Sequence, residues 1–245
     1  MIKNAMRTRQ GVQLAAATVL TAGFLALAVP PAASAQEGRN DNVQQTRISL
    51  TEASFKGMPF EQALEERRSV RTFSDRKMTE AELSQLLFSG QGITGKTRGR
   101  NLRAAPSAGA TYPMELYAIV NSVEGIDRGI YRYVPDSHEL ILLKEGDFGG
   151  PLRAACLGQT WLETASVNLV ITAVPDRISS RYGDRSPRYI FLEAGHIAQN
   201  ILLQAVSLGL GGVPIGACHD EEVDAIMSLD GTTEQAVYII TVGTR

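Results

Sequence analysis

Two hydrophobic periods alternate along the chain. "VNLVITAV" (167–174) and "AVYIITVG" (236–243) are almost unbroken apolar runs, the pattern of strands covered on both faces. "ELYAIV" (115–120), "GIYRYVP" (129–135) and "ELILL" (139–143) are shorter, separated by turn residues, and predict a meander with Asp136-Ser137-His138 as a hairpin connection. Helical spacing links Phe60, Ala63 and Leu64 behind Pro59. In "TEAELSQLLFSG", Thr79 and Glu82 form a capping box and Gly90 is the expected stop. The longest helix is predicted from Pro187 or Arg188 to about Ser207. Its apolar residues (Ile190, Ala194, Ile197, Ala198, Ile201, Leu202, Ala205) wrap most of the circumference, so it should be buried against the core or another subunit. "GLGG" ends it, and a short helix starts at Asp220. Residues 92–103 show no apolar period and read as a loop. Strands and helices that do not strictly alternate indicate an α+β sandwich.

Composition changes this picture at the N-terminus. Lys3, Arg7 and Arg9 precede the apolar run "LAAATVLTAGFLALAV", and "PPAASA" offers a cleavage site after Ala35. This is the layout of a secretory signal peptide over residues 1–35, with no membrane anchor expected after cleavage. Residues 36–55 are polar and read as a mobile arm, leaving 56–245 as one domain. Removing three basic residues takes the formal charge of the 245-residue chain from −2 to −5. No basic footprint for nucleic acid remains. The three histidines lack metal-ligand spacing, so no metal site is expected. Cys156 and Cys218 could pair in an oxidising compartment. Nothing in the sequence brings them together, and two separate buried thiols are the expectation.

Four segments could carry chemistry. In "RRSVR", the side chains of Arg67, Ser69 and Arg71 share a face if the chain is extended, offering donors to a phosphate; a helix C-terminus favoured by cations is the alternative. "APSAGATYP" holds only small residues from Ser107 to Thr111, so its backbone can approach a flat or anionic ligand, or it is a plain turn. Ser107 lacks the surroundings of a hydrolase nucleophile. In "GLGGVPIGAC", Pro214 breaks the dinucleotide fingerprint. "RISSRYGDRSPRY" (177–189) is either a solvated loop or a segment bringing a phenol and a guanidinium to a site.

Taken in order, "RRSVR", "PSAGATYP", "GIYRY", "RYGDRSPRYIFLEAGHIAQNILLQAVSLGLGG" and "PIGA" resemble the nitroreductase-like FMN flavoproteins, within them the SagB-type dehydrogenase branch. The resemblance implies an α+β three-layer fold with a central mixed or antiparallel sheet, a homodimer, and FMN in clefts at the subunit interface. It implies that Arg67, Arg68, Ser69 and Arg71 hold the FMN phosphate and ribityl chain. Pro106, Ser107 and Gly109 would lie by the flavin, and the backbone of Pro214, Ile215 and Gly216 would face its ring. Arg245 stands near a further phosphate contact of relatives. The Lys-Tyr pair associated with azoline oxidation aligns with Arg181-Tyr182, and a permanently charged guanidinium is a poor proton acceptor. The expectation is an exported FMN-dependent oxidoreductase acting on a small molecule or peptide, fed by a donor other than NAD(P)H. The alternatives are a non-catalytic flavin-binding protein and an NAD(P)H-dependent nitroreductase or quinone reductase.

Overall fold

A computed structural model describes residues 45–97 and 99–245; the expected leader and the first part of the arm lie outside these. Seven strands form one sheet: β1 (Arg47–Ser49), β4 (Met114–Val120), β5 (Gly129–Val134), β6 (Glu139–Glu145), β7 (Val167–Ala173), β8 (Leu210–Ile215) and β9 (Gln235–Thr244). Their order is β1-β6-β5-β4-β7-β9-β8, and every ladder is antiparallel. β7 and β9 lie towards the middle, as their apolar runs require. β8 is an edge strand, which suits Pro214, because proline has no N–H to give a second neighbour.

Side-chain alternation sends residues to two cores. Leu116, Ala118, Leu169, Ile171 and Ile240 pack against α2 (Glu80–Gln91) and α6 (Ser186–Ser207), through Leu83, Leu87, Ile197 and Ile201. On the opposite face, Tyr117, Ile119, Val170 and Ile239 meet α3 (Gly149–Ala155), α4 (Trp161–Thr164) and α7 (Asp220–Met227). The result is the expected three layers. Each fully buried Leu or Ile contributes about 1.5–3 kcal/mol.

Several local expectations change. The Thr79 capping box forms in both directions, with Glu82 N–H donating to Thr79 Oγ1 and Thr79 N–H to Glu82 Oε2. The helix, however, runs past Gly90 and stops at Gly92. Gly90 instead lets α2 approach its neighbours, since a Cβ there would sit 3.1 Å from Ile201 and 3.2 Å from Leu116. Residues 92–103 are not a loop but a hairpin, β2 (Ile93–Thr97) with β3 (Arg100–Arg103). Residues 177–189 are not a loop: they lie in α5 (Asp176–Tyr182), a 3-10 turn (Gly183–Arg185) and the start of α6. Within the expected arm, β1 pairs with β6 at the sheet edge.

Candidate active site

The arginine cluster follows α1 (Phe60–Glu66) and is extended. Ser69 bridges to Gly212, and Val70 N–H donates to Gly212 O at 3.0 Å. Further on, Ser74 N–H donates to Thr244 O at 2.8 Å. The segment is therefore laid along the start of β8 and the end of β9. Two glycines paired across these strands, Gly211 and Gly243, make room for it. A Cβ on Gly211 would fall 2.6 Å from Val70, and one on Gly243 would fall 2.6 Å from the Phe73 ring. With Val70 packed inward, strand alternation turns Ser69 and Arg71 the other way, and both are exposed. Arg245 follows Thr244, whose carbonyl accepts the Ser74 N–H, and is exposed.

Arg68 behaves differently from its neighbours. Its guanidinium donates to Glu65 O and Arg67 O at 2.8 Å each, capping the end of α1. Among the described residues, Arg67, Arg71 and Arg245 form no ion pair with a carboxylate. Arg71 lies over the Trp161 ring, 5.5 Å from its centroid. Gly211→Val is expected to push Val70 and its flanking donors off the sheet edge, because a short branched side chain cannot yield to a contact of 2.6 Å. At least tenfold weaker binding of a phosphate-bearing ligand, measured by calorimetry, is the expected outcome.

The small-residue stretch is a tight coil with a 3-10 turn at Ala108–Ala110. Gly109, Ala110 and Tyr112 have φ of 60°, 52° and 46°, so left-handed backbone recurs within four residues. For Ala110 and Tyr112 this is strain of order 1 kcal/mol each, held by the surroundings. Ser107 Oγ accepts from Tyr112 N–H at 2.9 Å. From α5, Arg177 donates to Tyr112 O and Arg181 to Gly109 O, both at 3.3 Å. Arg181 thus stands where a Gly109 side chain would be, with its guanidinium 2.8 Å from the virtual Cβ. Tyr182 turns to Tyr189, ring centroids 4.6 Å apart.

Past β8 the backbone is bare. Gly216 is exposed, and a Cβ there would meet only Tyr238, at 3.9 Å. From Gly211 to Gly216 the strand covers about 17 Å. The next residues are clamped. Cys156 and Cys218 form a disulfide, correcting the expectation of two thiols. Gln159 Nε2 donates to Cys156 O and Ala217 O, and His219 N–H donates to Ala155 O. A crevice lined by Gly216 and Cys218 shares Asp220, Ala236 and Val237 with a cavity of about 430 Å³ under α5 and the start of α6. The strip around Ser107 and the Pro214–Gly216 segment share no hydrogen bond among the described residues. They flank β4 and β8, three strand spacings apart, or about 14 Å.

The nitroreductase family model matches residues 64–244. The chain belongs to the nitroreductase family. The MJ1384 protein of Methanocaldococcus jannaschii, named a nitroreductase, is 39% identical over 185 residues, 76% of this chain and 90% of that one. The trifolitoxin-processing protein TfxB of Rhizobium leguminosarum bv. trifolii is 29% identical over 152 residues, 59% of this chain and 40% of its own length. That likeness supports the SagB-type branch. A solved nitroreductase-named protein from Ralstonia eutropha superposes with a TM-score of 0.70 at 27% identity, over 81% of this chain and 89% of its own. One from Desulfovibrio desulfuricans, solved in complex with FMN, shares the fold at a TM-score of 0.54 and 19% identity, over 77% and 87% of the two chains.

One buried ionisable residue close to the small-residue stretch was missed by sequence reasoning. Glu193 of α6 is only 2% exposed, and among the described residues neither carboxylate oxygen has a hydrogen-bond partner of good geometry. Burial pushes its carboxyl up to about 7, with the Ser107 hydroxyl and the Arg103 guanidinium acting weakly the other way. The hint was its position, three residues after Ile190 and four before Ile197, on the core-facing stripe of the helix. A raised folded-state value means that the unfolded chain ionises first. Stability is then fully present below about pH 4.5 and is lost as pH rises towards about 7, by roughly 3 kcal/mol. Glu193→Gln is expected to remove this part of the pH dependence. Urea midpoints of the two proteins, measured across that range, check it.

Proposed function

We propose that the chain is an exported, FMN-dependent oxidoreductase that works as a homodimer. The observation that carries this reading is the edge of β8. Ser69 and Arg71 are exposed where their segment lies along the start of β8, and side-chain-free backbone at Gly216 lies about 17 Å from Gly211 along the strand. An elongated ligand with a phosphate at one end and a flat ring at the other fits these two ends. FMN, when bound, supplies the hydride chemistry, while the protein supplies binding and orientation. Arg67 and Arg71 would hold the phosphate, Pro214–Gly216 would present backbone to the ring, and Pro106–Gly109 would form the other wall.

Within one chain the two walls stand apart, so a second copy is needed to close the cleft. The outer face of α6 supports this: Phe191 and Leu192 are 64% and 51% exposed there, beside bare Gly195. The disulfide supports an oxidising compartment, hence export, and with it a donor other than NAD(P)H. Azoline oxidation is disfavoured, since Arg181 is engaged with the Gly109 carbonyl and is not a base. Anaerobically reduced holoprotein mixed with quinones, nitroaromatics or oxygen tests the enzymatic reading. Faster reoxidation than free FMN is expected with at least one of them. Reoxidation no faster than free FMN with all three would instead indicate a flavin-binding protein without catalysis.

A further inference from the structure

Beneath the coil of residues 107–112 lies a polar cluster in an otherwise apolar core. Glu193 enters it from α6, and Arg103 enters from β3. Arg103 is already committed: it donates to Gln91 Oε1 at 2.8 Å and to Met114 O at 3.2 Å, and stacks on the Tyr112 ring. It therefore does not form an ion pair with Glu193. The amide nitrogen of Gln91 is likewise buried without an acceptor among the described residues. Among the charged groups on the elements packed around Glu193, only Arg103 acts on it; Glu115 and Arg177 pair with each other. A buried carboxyl with no ion-pair partner is costly in its charged form and is held neutral over much of the pH range.

Among the described residues, the Ser107 hydroxyl is the neutral side chain of the coil that acts on this carboxyl. No hydrogen bond of good geometry joins them in the structure. Its Oγ accepts the Tyr112 N–H, leaving one lone pair and one proton to assign. A hydroxyl rotation would let Ser107 donate inward to an ionised Glu193, a bond whose geometry is not closed in the structure. When Glu193 is protonated, its O–H donates to Ser107 Oγ, and the serine proton turns outward. We propose, on the reading that a flavin seats against this coil, that Glu193 is a positioning residue that stores a proton behind Ser107. Negative charge building on the flavin side favours the outward hydroxyl, so Glu193 takes up a proton from solvent when the flavin is reduced. Glu193 never touches the ligand, and its influence passes through one hydroxyl.

The test has two arms. In the first, infrared spectra of the flavin-free protein are recorded against pH. A protonated-carboxyl band that titrates near 7 and is absent in Glu193→Gln is expected; titration in the range of an ordinary glutamate would overturn the proposal. In the second, FMN holoprotein is reduced anaerobically in weakly buffered solution near neutral pH with a pH indicator. Wild type is expected to take up more protons per flavin than Glu193→Gln. Glu193→Asp should restore part of the difference, and in the Ser107→Ala background Glu193→Gln should add nothing. Glu193→Gln should leave FMN affinity within about threefold, which shows that the variant is folded. Equal uptake in wild type and Glu193→Gln would overturn the coupling. Failure of the protein to bind FMN at all would overturn both the coupling and the flavin reading. The infrared arm would still report the carboxyl, so the two failures are distinguishable.

Discussion

Exchange of Arg67 and Arg71 together for alanine is expected to lower FMN affinity by about 10²- to 10⁴-fold. Hydrogen bonds to a charged group are worth about 1.5–3 kcal/mol each, and every 1.4 kcal/mol is tenfold in affinity. Neither arginine has a carboxylate partner among the described residues, so little of this is offset by a lost ion pair. Folding should suffer little. The loss is confined to the Arg71–Trp161 contact, an interaction of about 0.5–1 kcal/mol at an exposed site. Arg68→Ala provides the control, because that guanidinium caps α1 through Glu65 O and Arg67 O. It should cost some stability and leave affinity nearly unchanged. Fluorescence titration with FMN measures all three proteins. Equal affinity in the double variant and wild type would remove the arginines from the phosphate site.

Loss of the Cys156–Cys218 disulfide should be the largest single change in stability. The bond closes a loop across 62 positions, and the chain-entropy treatment gives about 4 kcal/mol for a loop of that length. There is also a local effect. The bond, Gln159 and His219 together fix residues 217–219, just beyond bare Gly216. Cys156→Ala with Cys218→Ala should therefore lower the urea midpoint markedly and weaken FMN binding, and reductant should lower the wild-type midpoint alone. Wild-type midpoints that coincide with and without reductant, after complete reduction is verified by thiol counting, would contradict this.

Much of the fold was legible because its strongest elements carry redundant signals. β7 and β9 are continuous apolar runs of the length of a strand. The start of α2 is written in Thr79 and Glu82, and both hydrogen bonds of the box form. Its end was misjudged because two glycines stand two residues apart, and only packing against Ile201 and Leu116 distinguishes a glycine needed for contact from one needed to stop. The β2–β3 hairpin was invisible for a different reason. Its only apolar residues are Ile93 and Leu102, too few to set a period, in a part-buried ribbon of Gly, Thr, Lys, Asn and Arg.

The site was legible in parts and not as a whole. Strand alternation foresaw that Ser69 and Arg71 turn away from Val70, but no sequence rule says that Gly211 and Gly243 pair beneath them. "RRSVR" also concealed a division of labour, with Arg68 taken by the helix end. The small-residue stretch was read as bare backbone. In the structure its Gly109 is also a left-handed position, covered by Arg181. Cysteines 62 positions apart cannot be paired from one sequence, because nothing local reports on contacts across the sheet.

The most direct measurement is an absorption spectrum and FMN titration of the purified full-length protein. Saturable uptake of one FMN per chain, with a flavin spectrum shifted from that of free FMN, is the predicted result. A colourless protein that takes up no added FMN would contradict it.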